Sequence, residues 1–208
     1  TFLQEKEFQF VHEDLVHALN EECCPKGVSI TRVDTRKKYP DGSVETLPEL
    51  SRAQYKIETS VKLEVGPEEA FDFFSSPFNL GLATPNWMDF RITESPPDMN
   101  EGSEFEYKIN LGPISMKWRT EIIKWAPGDL FVDYQKKGPY SLWWHQHSII
   151  TEGASTCRME DKVFYRIPGG GLGRVAHKYI IKSILVRIFA YRRKVIQMRF
   201  GGSNYDSS

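Results

Sequence analysis

Cysteine is scarce: there are three in 208 residues, two adjacent (Cys23, Cys24) and one distant (Cys157). That is neither a disulfide framework nor the paired C-x-x-C spacing of a zinc site. A reducing compartment is the simpler inference. No apolar run reaches the length of a membrane span. The charged start, where Gln4 to Phe10 mixes charges with aromatics, does not read as a signal peptide. A cytoplasmic location is therefore expected. Also missing are a Gly-x-Ser-x-Gly elbow, an H-E-x-x-H helix and a Cys/His nucleophile arrangement. Their absence weighs against a hydrolase, but not against a cyclase or isomerase that works by shape and one acid/base group.

Acids are missing from one long stretch. The net charge is −1, yet Ile167 to Tyr205 holds eight of the 27 basic residues and none of the 28 acids. Such a basic C-terminal segment on an acidic body suits an anionic membrane, a nucleic acid or the chain's own acidic surface. The reading adopted is docking of the acidic helix expected at 4–22 near the C-terminal helix, with weak membrane contact as the alternative and no nucleic acid. Aromatics are plentiful: 13 Phe, nine Tyr and five Trp. They supply bulk for a core, and Tyr and Trp add polar tips that orient a ligand.

Residues 4–22 have helical periodicity, with Phe8, Val11, Leu15 and Leu19 on one face and six acids elsewhere. Pro25 and Gly27 end it. Val28 to Leu47 reads as a hairpin around Pro40-Asp41-Gly42. From Tyr55 to Val65 apolar and polar residues alternate, the mark of a half-buried strand. Gly66-Pro67-Glu68-Glu69 then opens a short helix carrying Ala70, Phe71, Phe73 and Phe74, and a second short helix or loop runs from Pro77 to Pro85. Alternating segments over 104–111, 116–122, 130–135, 141–150 and 155–166 are separated by turn signals, which predicts an antiparallel meander. One long helix over 172–199 closes the chain. Its apolar stripe is Leu172, Ala176, Tyr179, Ile184, Ile188, Tyr191 and Val195, widened by Ile181, Leu185 and Phe189. Gly169 to Gly173 fits neither phosphate-binding glycine motif and reads as the turn from strand to helix. The fold class is therefore α+β, a curved antiparallel β-sheet wrapped around a long C-terminal α-helix in one domain.

Three strings in order, Ala70 to Trp87 (AFDFFSSPFNLGLATPNW), Gly138 to His147 (GPYSLWWHQH) and Asp161 to Gly173 (DKVFYRIPGGGLG), resemble the START-like or SRPBCC superfamily. The likeness is to its ligand-binding members of the polyketide cyclase/dehydrase type. That resemblance implies the helix-grip fold over 53–200 and an internal cavity for a small apolar molecule. Residues 1–52 are then an N-terminal extension, and 201–208 a disordered tail.

The chemistry-bearing residues lie on adjacent strands. Trp143, His145, His147 and Ile149 share one face, as do Cys157, Met159, Asp161, Val163 and Tyr165 on the next strand. A four-residue loop at 151–154 sets His145 opposite or diagonal to Asp161, within cross-strand reach. Tyr107 and Trp118 join from earlier strands. The expected ligand-binding set is Tyr107, Trp118, Trp143, His145, His147, Asp161 and Tyr165. The His–Asp pair reads first as a structural or ligand-orienting pair, since a buried Asp needs partners. Two His and one Asp supply three metal ligands in number, but no metal and no cofactor is expected. His12 and His17 do not face one site.

Three functions follow, in order. The first is a carrier, chaperone or sensor for a lipid, quinone or polyketide-like molecule. The second is a cyclase/dehydratase using a pocket His or Asp as acid/base, and the third an interaction protein with a vestigial cavity.

Overall fold

A computed structural model describes residues 27–33, 50–111 and 113–201. The expectations for the helix over 4–22, the turn at 40–42, His12, His17, Cys23, Cys24 and the tail after Gly201 lie outside these residues.

Eight strands form one antiparallel sheet: β1 (Val28–Arg32), β2 (Tyr55–Leu63), β3 (Arg91–Glu94), β4 (Glu104–Leu111), β5 (Ile114–Ala126), β6 (Leu130–Lys137), β7 (Leu142–Gly153) and β8 (Thr156–Arg166). Their spatial order is β1-β2-β8-β7-β6-β5-β4-β3. The meander from β3 to β8 thus runs in sequence order, and β2 crosses back to pair with β8 along its whole length, from Tyr55↔Tyr165 to Leu63↔Cys157. Strand β3 is not evident in the sequence; its four residues are too few to alternate visibly. Between β2 and β3 lie two short helices, α1 (Pro67–Ser75) and α2 (Pro77–Leu82), each opened by its proline.

Period-two alternation sorts the side chains cleanly. On β5, Trp118, Thr120 and Ile122 are buried on the concave face while Lys117 and Arg119 are exposed. Two apolar clusters fill the concave side. One joins the phenylalanines of α1 to Phe131, Met159, Ile196 and Phe200; the other joins Trp118, Trp143, Val163 and Tyr165 to Leu185 and Phe189. On the opposite face Trp144, Phe164, Val132 and Leu142 are buried together with Leu50 and Ala53.

The closing helix runs unbroken from α3 (Gly170–Ala176) through a π turn (His177–Ile181) into α4 (Lys182–Phe200). Its end is tied to the sheet where the Glu64 amide donates to the Phe200 carbonyl, 2.7 Å. The C-terminal half of the expected stripe is buried, but the N-terminal half is not. Leu172 is 83% exposed and Tyr179 68%. The inward positions are instead Gly173, His177, Ile181, Leu185 and Phe189, a track spaced by four. A straight α-helix drifts by about 40° at each such step, and the wider π turn takes up part of that drift. Strict 3.6-residue periodicity therefore misassigns the first turns.

The strand-to-helix turn rests on two glycines. Gly169 has φ +84, and a Cβ on Gly173 would lie 2.0 Å from the Pro168 carbonyl oxygen, a backbone atom that cannot swing aside. Gly173→Ala is expected to lower stability by about 1–3 kcal/mol. Gly171→Ala, whose Cβ would meet nothing closer than 3.8 Å, is expected to stay within about 0.5 kcal/mol of the parent. Urea unfolding midpoints of the two variants measure the contrast.

Candidate functional site

Between the concave face and the closing helix lies a cavity of about 340 Å³. Its walls come from nearly every element: Phe73 and Leu80 of the short helices, Tyr107, Ile109, Trp118 and Phe131 of the sheet, and Ile184, Leu185, Ile188 and Phe189 of α4. Aromatic rings pack edge to face around one side. Trp118 and Trp143 meet at 5.2 Å between centroids (interplanar angle 86°), and Tyr140 lies 4.7 Å from Trp143. Burial pushes the hydroxyl pKa values of Tyr107 and Tyr140 upward, so both remain neutral.

The wall is largely apolar, with a few hydroxyl and amide side chains such as Asn79, Thr84 and Thr120, and its acidic and basic groups, Asp133, His145, His147 and Arg192, come together at one place. Strand register builds this cluster. Asp133 on β6 stands directly opposite His145 on β7, and His147 stands opposite Asp161 on β8. Asp161 Oδ1 lies 3.1 Å from His145 Nε2 and 2.9 Å from His147 Nδ1. Asp133 Oδ2 lies 2.8 Å from His147 Nε2 and 3.5 Å from His145 Nδ1. The two imidazoles are 3.7 Å apart between centroids, and Phe131 stacks on His147 at 4.2 Å. From the helix, Arg192 brings Nε to 3.5 Å from Asp161 Oδ2, and from β2 the Thr59 hydroxyl donates to the same oxygen, 3.2 Å.

These groups set each other's charge. Burial pushes the Asp161 pKa up, but Arg192 and the two imidazoles outweigh it and hold it well below the usual carboxylate range. Asp133 is likewise pushed up by burial and pulled lower overall by His145, His147 and Arg192. Burial lowers His147, yet its bonds to Asp133 and Asp161 raise it overall; His145 is lowered by burial and by the charge on His147. Two carboxylates thus face Arg192 and two imidazoles, of which His147 is the more readily protonated. Opposite charges lie side by side in the cluster, which is what makes its burial tolerable.

Of the residues expected at the site, Tyr107, Trp118, Trp143, His145 and His147 line the cavity. Asp161 and Tyr165 do not. Asp161 sits behind the imidazoles, 3% exposed, and Tyr165 turns its hydroxyl to a hydrogen bond with His177 Nε2, 2.8 Å. Asp161 lies diagonal to His145, as expected, and directly opposite His147. Two members of the cluster escape the sequence reading. Asp133 is legible in principle, because pairing β6 with β7 across Gly138-Pro139 places it beside His145. Arg192 is indistinguishable there from the surface cations of the helix.

Solved structures share this architecture. The chain is similar to a protein of Thermus thermophilus, TTHA0849, at 11% identity and TM-score 0.52, over 69% of this chain and 98% of that one. It is similar to norcoclaurine synthase of Thalictrum flavum at 12% and 0.51, over 69% and 94%. It is similar to the Zhui aromatase/cyclase of Streptomyces sp. R1128 at 8% and 0.50, over 71% and 97%. The fold they share with this chain is the helix-grip, a curved antiparallel sheet around a C-terminal helix. No protein-family model and no curated protein matches the sequence. Among the described residues no helix is long and apolar enough to cross a membrane.

Asp161→Asn and Arg192→Met are each expected to destabilise the fold, the former by about 1–3 kcal/mol. The double variant should cost less than the two singles summed, because neither buried charge is then left alone. Chemical unfolding of the four proteins checks the cycle, and simple additivity would mean the pair is not coupled.

Proposed function

We propose that this chain binds a small, largely apolar molecule of the lipid, quinone or polyketide kind in the cavity, as a carrier, chaperone or sensor. The observation that carries this reading is the cavity itself: about 340 Å³, walled by aromatic and aliphatic side chains, with its ionic groups gathered at one place. That volume suits a small ligand, and a few convergent polar groups in an apolar wall orient it without dominating its affinity. The ring faces of Trp118, Trp143 and Tyr140 favour a flat or unsaturated body. The aromatase/cyclase and the norcoclaurine synthase show the fold in proteins with those names; for this chain they support the fold, and the cavity supports the ligand class.

The binding test is a comparison across one strand. Trp118→Ala and Trp143→Ala are expected to weaken an apolar fluorescent probe markedly, whereas Lys117→Ala and Arg119→Ala, on the opposite face, leave it within about twofold. Equal losses from both sets would place the probe elsewhere. Native mass spectrometry of the purified chain adds an independent reading, with a co-purifying small molecule as the expected result.

Access to such a ligand has a candidate surface too. Leu172, Val175, Tyr179 and Ile180 are all exposed at the start of the closing helix, interleaved with exposed Arg174, Lys178 and Lys182. The sequence assigns the stripe through Leu172 and Tyr179 to the sheet, and both are exposed instead; the docking expected of the helix at 4–22 lies outside the described residues. Apolar groups beside cations suit the interface of an anionic bilayer, where each basic group contributes about 1 kcal/mol. The chain should co-sediment with vesicles containing phosphatidylserine, and Leu172→Glu with Tyr179→Glu should abolish this while leaving probe binding intact. Equal binding to neutral vesicles, or no effect of the variants, would contradict the surface.

A further inference from the structure

The two carboxylates of the buried cluster stand in different relations to the imidazoles. Asp161 reaches one nitrogen of each ring, His145 Nε2 at 3.1 Å and His147 Nδ1 at 2.9 Å, with a single oxygen, Oδ1. Its other oxygen is held by Thr59 and faces Arg192. That leaves the opposite nitrogen of each ring, His145 Nδ1 and His147 Nε2, and both lie beside a single oxygen of Asp133, at 3.5 and 2.8 Å. Asp133, His145 and His147 each offer a ligand atom, all within 4.8 Å of one another. Asp133, His145 and His147 all line the cavity, whereas Asp161 does not.

We propose that Asp133, His145 and His147 form a binding site for a divalent first-row metal ion that opens into the cavity. Two imidazole nitrogens and a carboxylate oxygen are an ordinary donor set for zinc and its neighbours in the series. Ligand atoms about 2.1 Å from one ion lie about 3.0 Å from each other in octahedral and about 3.4 Å in tetrahedral geometry, and the two measured separations bracket both values. The stronger argument is Asp161. A ligating His typically donates its other ring N–H to a carboxylate, which fixes the tautomer and turns the lone pair towards the metal. The buried Asp161 accepts such a bond from His145 Nε2 and lies 2.9 Å from His147 Nδ1, which Arg192 also approaches at 3.4 Å. The ring planes lie 38° apart, so an ion bound to both needs one imidazole to turn by a few tens of degrees. Without the ion, the His147 Nε2–H donates to Asp133 in the same gap, and binding expels that proton. Three protein ligands leave positions free on the cavity side, where an oxygen of a bound molecule completes the shell.

Chelator-treated protein titrated with Co²⁺ tests this. The expected result is one ion per chain, with a ligand-field band in the visible, no thiolate charge-transfer band, and displacement by Zn²⁺. Asp133→Asn should remove the band, and Asp161→Asn should weaken binding about 10–100-fold. Should either variant fail to fold, ring-nitrogen NMR of the parent decides: Zn²⁺ should shift His145 Nδ1 and His147 Nε2 strongly, and the nitrogens facing Asp161 weakly. No band at millimolar Co²⁺, a thiolate band from Cys23 and Cys24, or ring shifts confined to His12 and His17 would each overturn the proposal.

Discussion

Holding two carboxylates, Asp161 buried and Asp133 half-buried, beside a largely apolar cavity is the constraint on which the arrangement turns. Neither Asp133 nor Asp161 survives there as a charge without partners, since an unpaired buried ion costs several kcal/mol. The partners come from three directions. Strand β7 supplies both imidazoles, strand β2 the Thr59 hydroxyl, and the closing helix Arg192. The helix is therefore held to the sheet by directional charge as well as by the burial of Leu185, Phe189, Ile196 and Phe200. Apolar burial alone tolerates sliding and rotation; a guanidinium beside one carboxylate oxygen restricts both.

The same contact explains why a cavity persists. Side chains that met across the gap would fill it, as they fill the neighbouring cluster around Phe73, Phe74 and Phe200, where ring centroids approach 4.9 Å. Arg192 spans from helix to sheet at the edge of the cavity, while Trp118 and Trp143, both on the sheet, meet edge to face along one wall. The π turn belongs to this arrangement. It lets Ile181 and His177 follow Leu185 on the inward track, and it turns Leu172 and Tyr179 outward.

Much of this is legible in the sequence, because it follows from alternation and local chemistry. The strands from β4 to β8 announce themselves by period two, and Gly-Pro or Pro-Gly-Asp marks the turns. The shared face of Trp143, His145, His147 and Asp161 needs only strand geometry and a hairpin length. What the sequence conceals depends on the angle between elements. Arg192 looks like any other cation in a basic helix until the helix phase is known, and one π turn alters that phase. Asp133 carries no local mark of its role; only the register with β7 reveals it. Tyr165 points to the cavity by parity, yet His177, whose ring stacks on Tyr55 at 3.7 Å, draws its hydroxyl away.

The central claim is that the concave side encloses a cavity whose acidic and basic groups are gathered at one place. Methyl NMR during titration with a small aromatic probe tests it directly. The account predicts saturable shifts at the cavity methyls Ile109, Met116, Ile184, Leu185 and Ile188, with Leu50, Val132 and Leu142 on the other face unmoved. Shifts spread over both faces, or none at saturating probe, would contradict it.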